Sequence, residues 1–145
     1  MDKALNYLAL GRKGRMIELG EEPVGAVARA NHARLVMVAS DASDHTWRRA
    51  KSFVAGTQQQ CLRLPYTKDE MGMAVGRTSL AMAAFTDAAL ALAFVKALGE
   101  PEKHGKLLEA LEEKSNRLRQ RQKEARAHEA NRKTGSRRGA VKKEH

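Results

Sequence analysis

The chain has 145 residues, 42% of them hydrophobic, and its 27 Lys and Arg against 17 Asp and Glu give a formal net charge of +10. This length allows one compact domain with an appendage, and the apolar fraction excludes a wholly disordered protein. Because Cys61 is the only cysteine, a disulfide scaffold and a multi-cysteine metal site are excluded. The sequence shows no secretory signal pattern and no uninterrupted apolar run of membrane-spanning length. We therefore expect a cytoplasmic protein.

The positive charge is concentrated towards the C-terminus. Residues 1–100 hold 13 Lys and Arg against 10 Asp and Glu, a net charge of +3, whereas residues 101–145 hold 14 against 7, a net charge of +7. All six aromatic residues lie in the first part, so that part predicts the folded domain. We predict a domain over residues 1–99, a charged helical extension over 100–130 and a disordered basic tail over 131–145.

Short apolar runs and helix-start signals alternate along the first hundred residues. Strands are predicted over residues 15–19, 34–39, 61–64 and 79–85. Helix starts are predicted at Gly20, Ser43, Thr67 and Thr86-Asp87, and Thr67 with Glu70 has the spacing of a capping box. A first helix precedes these elements. The alternation predicts an α/β fold with a central, largely parallel sheet between helices.

Residue patterns that support catalysis are missing from the sequence. The five histidines and Cys61 have no metal-ligand spacing, and neither a phosphate-binding Gly-Lys-Ser/Thr loop nor a Gly-x-Ser-x-Gly elbow occurs. Glu21 and Glu22 form an adjacent acidic pair, but carboxylates at a helix start are explained by the helix dipole. Cys61 is interpreted as a small core residue rather than a nucleophile. We expect a non-enzyme without a metal or cofactor.

Two basic regions suggest a nucleic-acid partner. Arg12, Lys13 and Arg15 precede the first predicted strand, and Arg77 follows the fourth helix. If the edge of the sheet gathers these loops with the amides of the Gly20 helix start, the surface could hold an RNA backbone. The C-terminal cations favour binding to nucleic-acid phosphates, which depends on salt and not on base sequence. The alternatives are solvated loop cations and a solubilising tail.

The stretch from Leu5 to Leu98 resembles the kink-turn-binding ribosomal protein superfamily, which includes the archaeal "L seven Ae" type, the eukaryotic "L thirty e" type and short bacterial relatives. This stretch covers about two thirds of the chain, and the matching segments occur in it in family order. They are residues 8–15, 19–22, 33–43, 71–77 and 83–87.

The resemblance implies a three-layer α/β/α sandwich on a mixed four-stranded sheet, followed here by the basic helix and tail. It implies RNA binding by the loop that enters the second helix and by the loop that leaves the fourth. Residue by residue, Gly20 matches the first loop, and Val75, Gly76 and Arg77 match the second. Together with the basic loop residues, the predicted RNA-binding set is Arg12, Lys13, Arg15, Gly20, Glu21, Glu22, Gly76, Arg77, Thr78 and Ser79.

The predicted function is therefore a non-catalytic RNA-binding protein of the translation apparatus, acting on structured RNA, kink-turn RNA included, or on the ribosome. The chain departs from the family pattern at Glu22, Pro23 and Ala26, where firm kink-turn binders carry Asn, Glu and Lys. These departures support an alternative: a protein–protein module that kept the fold and lost specific RNA recognition. We expect a monomer, with weak dimerisation through the C-terminal helix as the alternative.

Overall fold

The computed structural model describes the backbone of residues 2–141 and the side chains of residues 2–100 and 103–128. Helices and strands alternate as predicted. The chain forms α1 (Lys3–Lys13), β1 (Ile17–Leu19), α2 (Glu21–Arg29), β2 (Leu35–Val38), α3 (Asp44–Val54), β3 (Cys61–Arg63), α4 (Lys68–Ala74), β4 (Met82–Phe85), α5 (Ala88–Leu98) and α6 (Pro101–Val141).

Three helices start where the sequence predicts because a side chain binds a free backbone amide of the first turn. Ser43 accepts from the Thr46 amide, and Asp87 accepts from the Leu90 amide. Thr67 and Glu70 form the complete capping box, since each side chain accepts from the other residue's backbone N–H. These bonds are local in sequence, which is why the start of each helix could be predicted.

The sheet is mixed, as the resemblance implied, and the expectation of a largely parallel sheet is wrong. Its strand order is β1-β4-β2-β3. β4 runs antiparallel to both β1 and β2, and only β2 and β3 form a parallel pair. It follows that β1, β2 and β3 share one direction. The insertion of β4 between β1 and β2 makes two of the three strand pairs antiparallel.

The core fills both faces of the two central strands. Every residue of β2 and β4 is buried. Helices α1, α4 and α5 pack together on one face, and α2 and α3 pack together on the other, which gives the three layers. Phe85 and Phe94, both fully buried, pack with ring centroids 5.3 Å apart. Strands buried on both faces explain the continuous apolar runs in the sequence.

The chain divides into two compact units, Met1–Glu112 and Glu113–His145. The first unit extends past the expected end at residue 99 because Leu111, only 2% exposed, belongs to the same hydrophobic core. The second unit consists of the remainder of α6 and the residues that follow it. The tail predicted as disordered over residues 131–145 lies outside the residues whose side chains are described.

Replacing Leu111 tests whether the start of α6 belongs to the domain. Leu111→Ala removes a buried side chain, so we expect it to lower the free energy of unfolding by about 2–5 kcal/mol. Leu118→Ala, the same change at a half-buried position of the second unit, is the control, and we expect it to cost less than about 1 kcal/mol. Urea unfolding monitored by circular dichroism measures both. Equal losses would contradict the assignment of Leu111 to the core.

Candidate nucleic-acid interface

Gly20 and Arg77, from the two loops expected to bind RNA, lie next to each other. Gly20 is the residue before α2, with φ of +100°, a conformation that L side chains rarely adopt. A Cβ built on Gly20 would lie 4.0 Å from Nη1 of Arg77. The Gly20 amide donates to the Met82 carbonyl at 2.9 Å, which holds the start of α2 against the start of β4. The structure thus brings the β1–α2 turn and the α4–β4 loop to one edge of the sandwich.

The basic residues that precede β1, namely Arg12, Lys13 and Arg15, lie at the same edge. Nη1 of Arg12 donates to the Val75 carbonyl at 2.7 Å, so the end of α1 is bound to the end of α4. Lys13 is exposed, and so is Arg15, whose φ is +58°. Of the three loop cations, Arg12 is held in a defined position, and Lys13 and Arg15 extend the positive surface beside it.

The α4–β4 loop is held close to α4 by backbone hydrogen bonds. The Arg77 amide donates to the Gly72 carbonyl at 2.8 Å, and the Leu80 amide donates to the Lys68 carbonyl at 3.0 Å. Gly72 permits this approach, because a Cβ there would lie 2.8 Å from the backbone of Arg77 and Ser79. As a result Gly76, Arg77, Thr78 and Ser79 are all exposed on a loop of defined conformation.

The two carboxylates at the start of α2 have different surroundings. Glu21 forms a salt bridge at 2.5 Å with Nε of Arg49 on α3, and both side chains remain partly exposed. Glu22 is exposed, and among the described residues it has no ion-pair partner. Since Arg49 compensates Glu21, the predicted set, with four cations and two carboxylates, leaves an excess of positive charge at this edge.

Sequence reasoning missed the contribution of Arg49, and it also missed two exposed apolar side chains near this edge. Leu10 on α1 is 50% exposed, and Met73 on α4 is 75% exposed. Leu10 lines an open groove of about 560 Å³ between α1 and α4, together with Arg12 and Val75. The sequence could have indicated Met73, because this apolar residue does not lie on the buried face of α4. It could not have indicated the Glu21–Arg49 pair, because that pair joins two different helices.

A second set of cations lies along one face of α6 in the second unit. One shallow depression is lined by five residues, each of which lies three or four positions from another of the set: Asn116, Arg119, Gln120, Lys123 and Arg126. Such spacing keeps side chains on the same side of a helix. Arg119 donates to Oδ1 of Asn116 at 3.1 Å. This face carries three cations and no carboxylate among its members.

The opposite face of the same segment has a mixed charge. Arg117 pairs with Glu113 at 3.5 Å, and Arg121 also lies on that side by helical spacing. Glu124 lies at the border of the two faces, since its carboxylate accepts a hydrogen bond from Nε2 of Gln120 at 3.1 Å. We refer to the face with Arg119, Lys123 and Arg126 as the cationic face of α6.

Cys61 is half-buried, and it packs against the hydrophobic core from β3, at the edge of the core and beside an open groove. Burial raises the pKa of the Cys61 thiol from its ordinary 9.0 to about 11, against smaller lowering effects of Lys51 and of the Leu62 backbone amide. A thiol with a raised pKa is mostly protonated at neutral pH and is a poor nucleophile. Within the described side chains, no group of three His, Cys, Asp or Glu residues is arranged to hold a metal ion.

Within the described residues, none of the helices combines the length and apolarity needed to cross a membrane.

No protein-family model and no curated protein matches the sequence. Among solved structures, a protein of unknown function from Bacillus halodurans is similar with a TM-score of 0.63 and 22% identity, over 68% of this chain and 98% of that one. The 15.5 kD RNA-binding protein of Giardia lamblia is similar with a TM-score of 0.57 and 19% identity, over 68% of this chain and 84% of that one. At these identities the likeness shows the fold. Of the two proteins described here, the one from Giardia lamblia is an RNA-binding protein.

The raised pKa of Cys61 predicts slow alkylation. With a pKa of about 11 instead of 9.0, the thiol forms about 100-fold less thiolate at pH 8, so iodoacetamide should modify the folded protein about 100-fold more slowly than the protein unfolded in guanidinium. Mass spectrometry of timed samples measures both rates. Similar alkylation rates for the folded and the unfolded chain would contradict the core role and would make Cys61 a candidate nucleophile.

Proposed function

We propose that this chain is a non-catalytic RNA-binding protein of the translation apparatus that binds structured RNA, kink-turn RNA included, at the edge formed by the β1–α2 turn and the α4–β4 loop. The observation that carries the proposal is the proximity of Arg77 to Gly20, with Arg12 bound to Val75 beside them. A guanidinium group next to the N-terminus of a helix is suited to phosphate and to base edges. The same fold in the Giardia RNA-binding protein supports it.

The chemistry of the edge favours bent RNA over a regular duplex. The loop residues from Gly76 to Ser79 form a short exposed segment with a guanidinium and two hydroxyl groups. Proteins read RNA mainly at unstacked bases and distorted backbones, because the major groove of a regular RNA helix is too narrow for side chains. In this proposal Arg77 and the Gly20 helix start bind the distorted site, and Lys13 and Arg15 bind flanking phosphates.

The cationic face of α6 supplies a second contact in this proposal. Its cations follow the helix axis at a rise of about 1.5 Å per residue, which spaces Arg119 and Lys123 by about 6 Å and Lys123 and Arg126 by about 4.5 Å. This separation is suited to successive phosphates of one strand, and the three cations line the same depression. Such contacts raise affinity for any RNA and leave selection to the Arg77 edge. The basic residues beyond residue 128 add to the same effect.

Arg77→Gln tests the role of the edge. We expect the full chain to prefer a kink-turn RNA to a straight duplex of equal length, and Arg77→Gln to weaken kink-turn binding by about tenfold or more, since a charged fork contact contributes roughly 1–3 kcal/mol. Arg29→Gln removes an equally exposed cation at the other end of α2 and should change affinity less than about twofold. Fluorescence anisotropy at near-physiological salt measures the dissociation constants.

Three outcomes would contradict the proposed site. Equal affinity of the full chain for both RNAs would remove the selection for bent RNA. Equal effects of Arg77→Gln and Arg29→Gln on affinity would mean that the edge contributes only through its total positive charge. Binding to neither RNA would favour the protein–protein alternative.

The cationic face of α6 is tested by the salt dependence of binding to the straight duplex. Arg119→Gln with Lys123→Gln removes two predicted phosphate contacts, so the slope of log K against log salt should fall in magnitude by about 1.8. Arg117→Gln with Arg121→Gln makes the same charge change on the opposite face and should leave the slope nearly unchanged. If both double variants lower the slope equally, the helix acts through its total charge and the face has no special role.

A further inference from the structure

The outer edge of β3 is an open strand edge with a groove beside it. β3 is the last strand in the order β1-β4-β2-β3, so it has a strand neighbour on one side only. A groove of about 490 Å³ lies along it, between α3 and the junction of α5 with α6. We refer to this feature as the β3 groove. It lies at the opposite side of the sheet from β1 and takes no part in the proposed RNA site.

The hydrogen-bond register identifies which backbone groups face outwards. The Val36 amide donates to the Gln60 carbonyl at 2.8 Å, and the Leu64 amide donates to the Val38 carbonyl at 2.7 Å. In a parallel ladder, every second residue of a strand bonds the neighbouring strand through its backbone amide and carbonyl. The backbone amide and carbonyl of Leu62 therefore face β2, and those of Cys61 and Arg63 face the open side. Two residues therefore offer a full set of backbone partners to an added strand.

The side chains around the groove combine apolar surface with positive charge. Trp47, Leu62 and Leu98 supply the apolar part. The guanidinium carbon of Arg63 lies 5.2 Å from the centroid of the Trp47 ring, and Nζ of Lys51 lies 5.6 Å from it. These cation–π contacts hold two positive charges at the rim of the groove beside the open strand edge.

The far wall of the groove adds one more cation and one carboxylate. Lys103 and Glu100 line it together with His104, which is buried with 7% exposure. With Arg63 and Lys51, the described charged side chains at the rim are three cations and one carboxylate. These described groups give the open edge of β3 an excess of positive charge.

We infer that the β3 groove binds an extended acidic segment of a partner protein, which adds a strand to β3. Unpaired backbone groups select an extended peptide, the apolar pocket at Trp47 takes an alternate side chain, and the cations select acidic residues. A second copy of this chain is disfavoured, because pairing β3 with its own copy would bring Arg63, Lys51 and Lys103 against the same residues. The chain's own C-terminal residues are disfavoured for the same reason, since residues 117–143 hold eleven cations and two carboxylates.

The probe is a short synthetic peptide in which Glu and Val alternate, titrated into the full-length protein. Trp47 is the only tryptophan, so its fluorescence reports on this groove directly. We expect a saturable change with the Glu/Val peptide. We expect none with a Lys/Val peptide, which reverses the charge, or with a Glu/Val peptide N-methylated at alternate residues, which cannot pair with a strand.

Two substitutions at Arg63 separate backbone pairing from charge. Arg63→Gln keeps the outward backbone amide and should weaken peptide binding by about two- to threefold, as expected for the loss of a charge at the rim. Arg63→Pro also removes that amide, which the ladder to β2 does not use. It should weaken peptide binding by about tenfold or more. Slower hydrogen exchange of the Cys61 and Arg63 amides in the peptide-bound native protein gives the same test without a substitution.

Several results would overturn the inference. A response to the N-methylated peptide equal to that of the parent, or no response to either, would exclude strand addition. A change in Trp47 fluorescence with duplex RNA but not with peptide would make the groove an RNA contact. A concentration-dependent dimer that Arg63→Pro abolishes would assign the edge to a second copy. These results leave the proposed RNA function untouched, because that function is tested by Arg77→Gln on RNA.

Discussion

The position of β4 in the middle of the sheet is the constraint on which the rest of the structure depends. β4 pairs antiparallel with β1 on one side and with β2 on the other, and all its residues are buried. Its first residue, Met82, accepts a hydrogen bond from Gly20. The loop that leads into β4 must therefore end beside the turn that leads into α2. The proximity of Arg77 and Gly20 is a direct consequence of strand order.

Charge in this protein is arranged by local compensation. Near the Gly20 turn the carboxylate of Glu21 is paired with Arg49, so the cations of the neighbouring loops are not cancelled. On α6 the Glu113 carboxylate pairs with Arg117, and the Glu124 carboxylate bonds Gln120 at the border of the face that carries Arg119, Lys123 and Arg126. A net charge of +10 distributed in this way produces separate positive surfaces with different shapes. One is an edge formed by exposed loops, and the other is a regular helix face, so the two differ in what they can select.

The two sides of the sheet differ in the same physical terms. The side at β1 lies beside loops that present guanidinium, hydroxyl and amide groups, which suit a phosphate backbone. The side at β3 presents unpaired strand backbone next to the ring of Trp47, with Arg63 and Lys51 at the ring. Unpaired strand edges are normally protected by charge or by short length, and β3 has both, with three residues and a cationic rim. That protection resists pairing with a like-charged copy while it leaves room for an acidic strand.

The sequence by itself determined the features that depend on neighbouring residues. The order of elements, the helix starts at Ser43, Thr67 and Asp87, and the concentration of cations at the C-terminus all follow from periodicity, capping and composition. The mixed sheet was predicted only through the family resemblance, since the alternation of helices and strands had indicated a largely parallel one. Only the tertiary structure decided that β4 lies between β1 and β2, that Arg12 binds Val75, that Glu21 pairs with Arg49 and that Leu111 belongs to the core. Each of these joins residues distant in sequence, and their contact depends on how whole helices and strands pack, which no local pattern records.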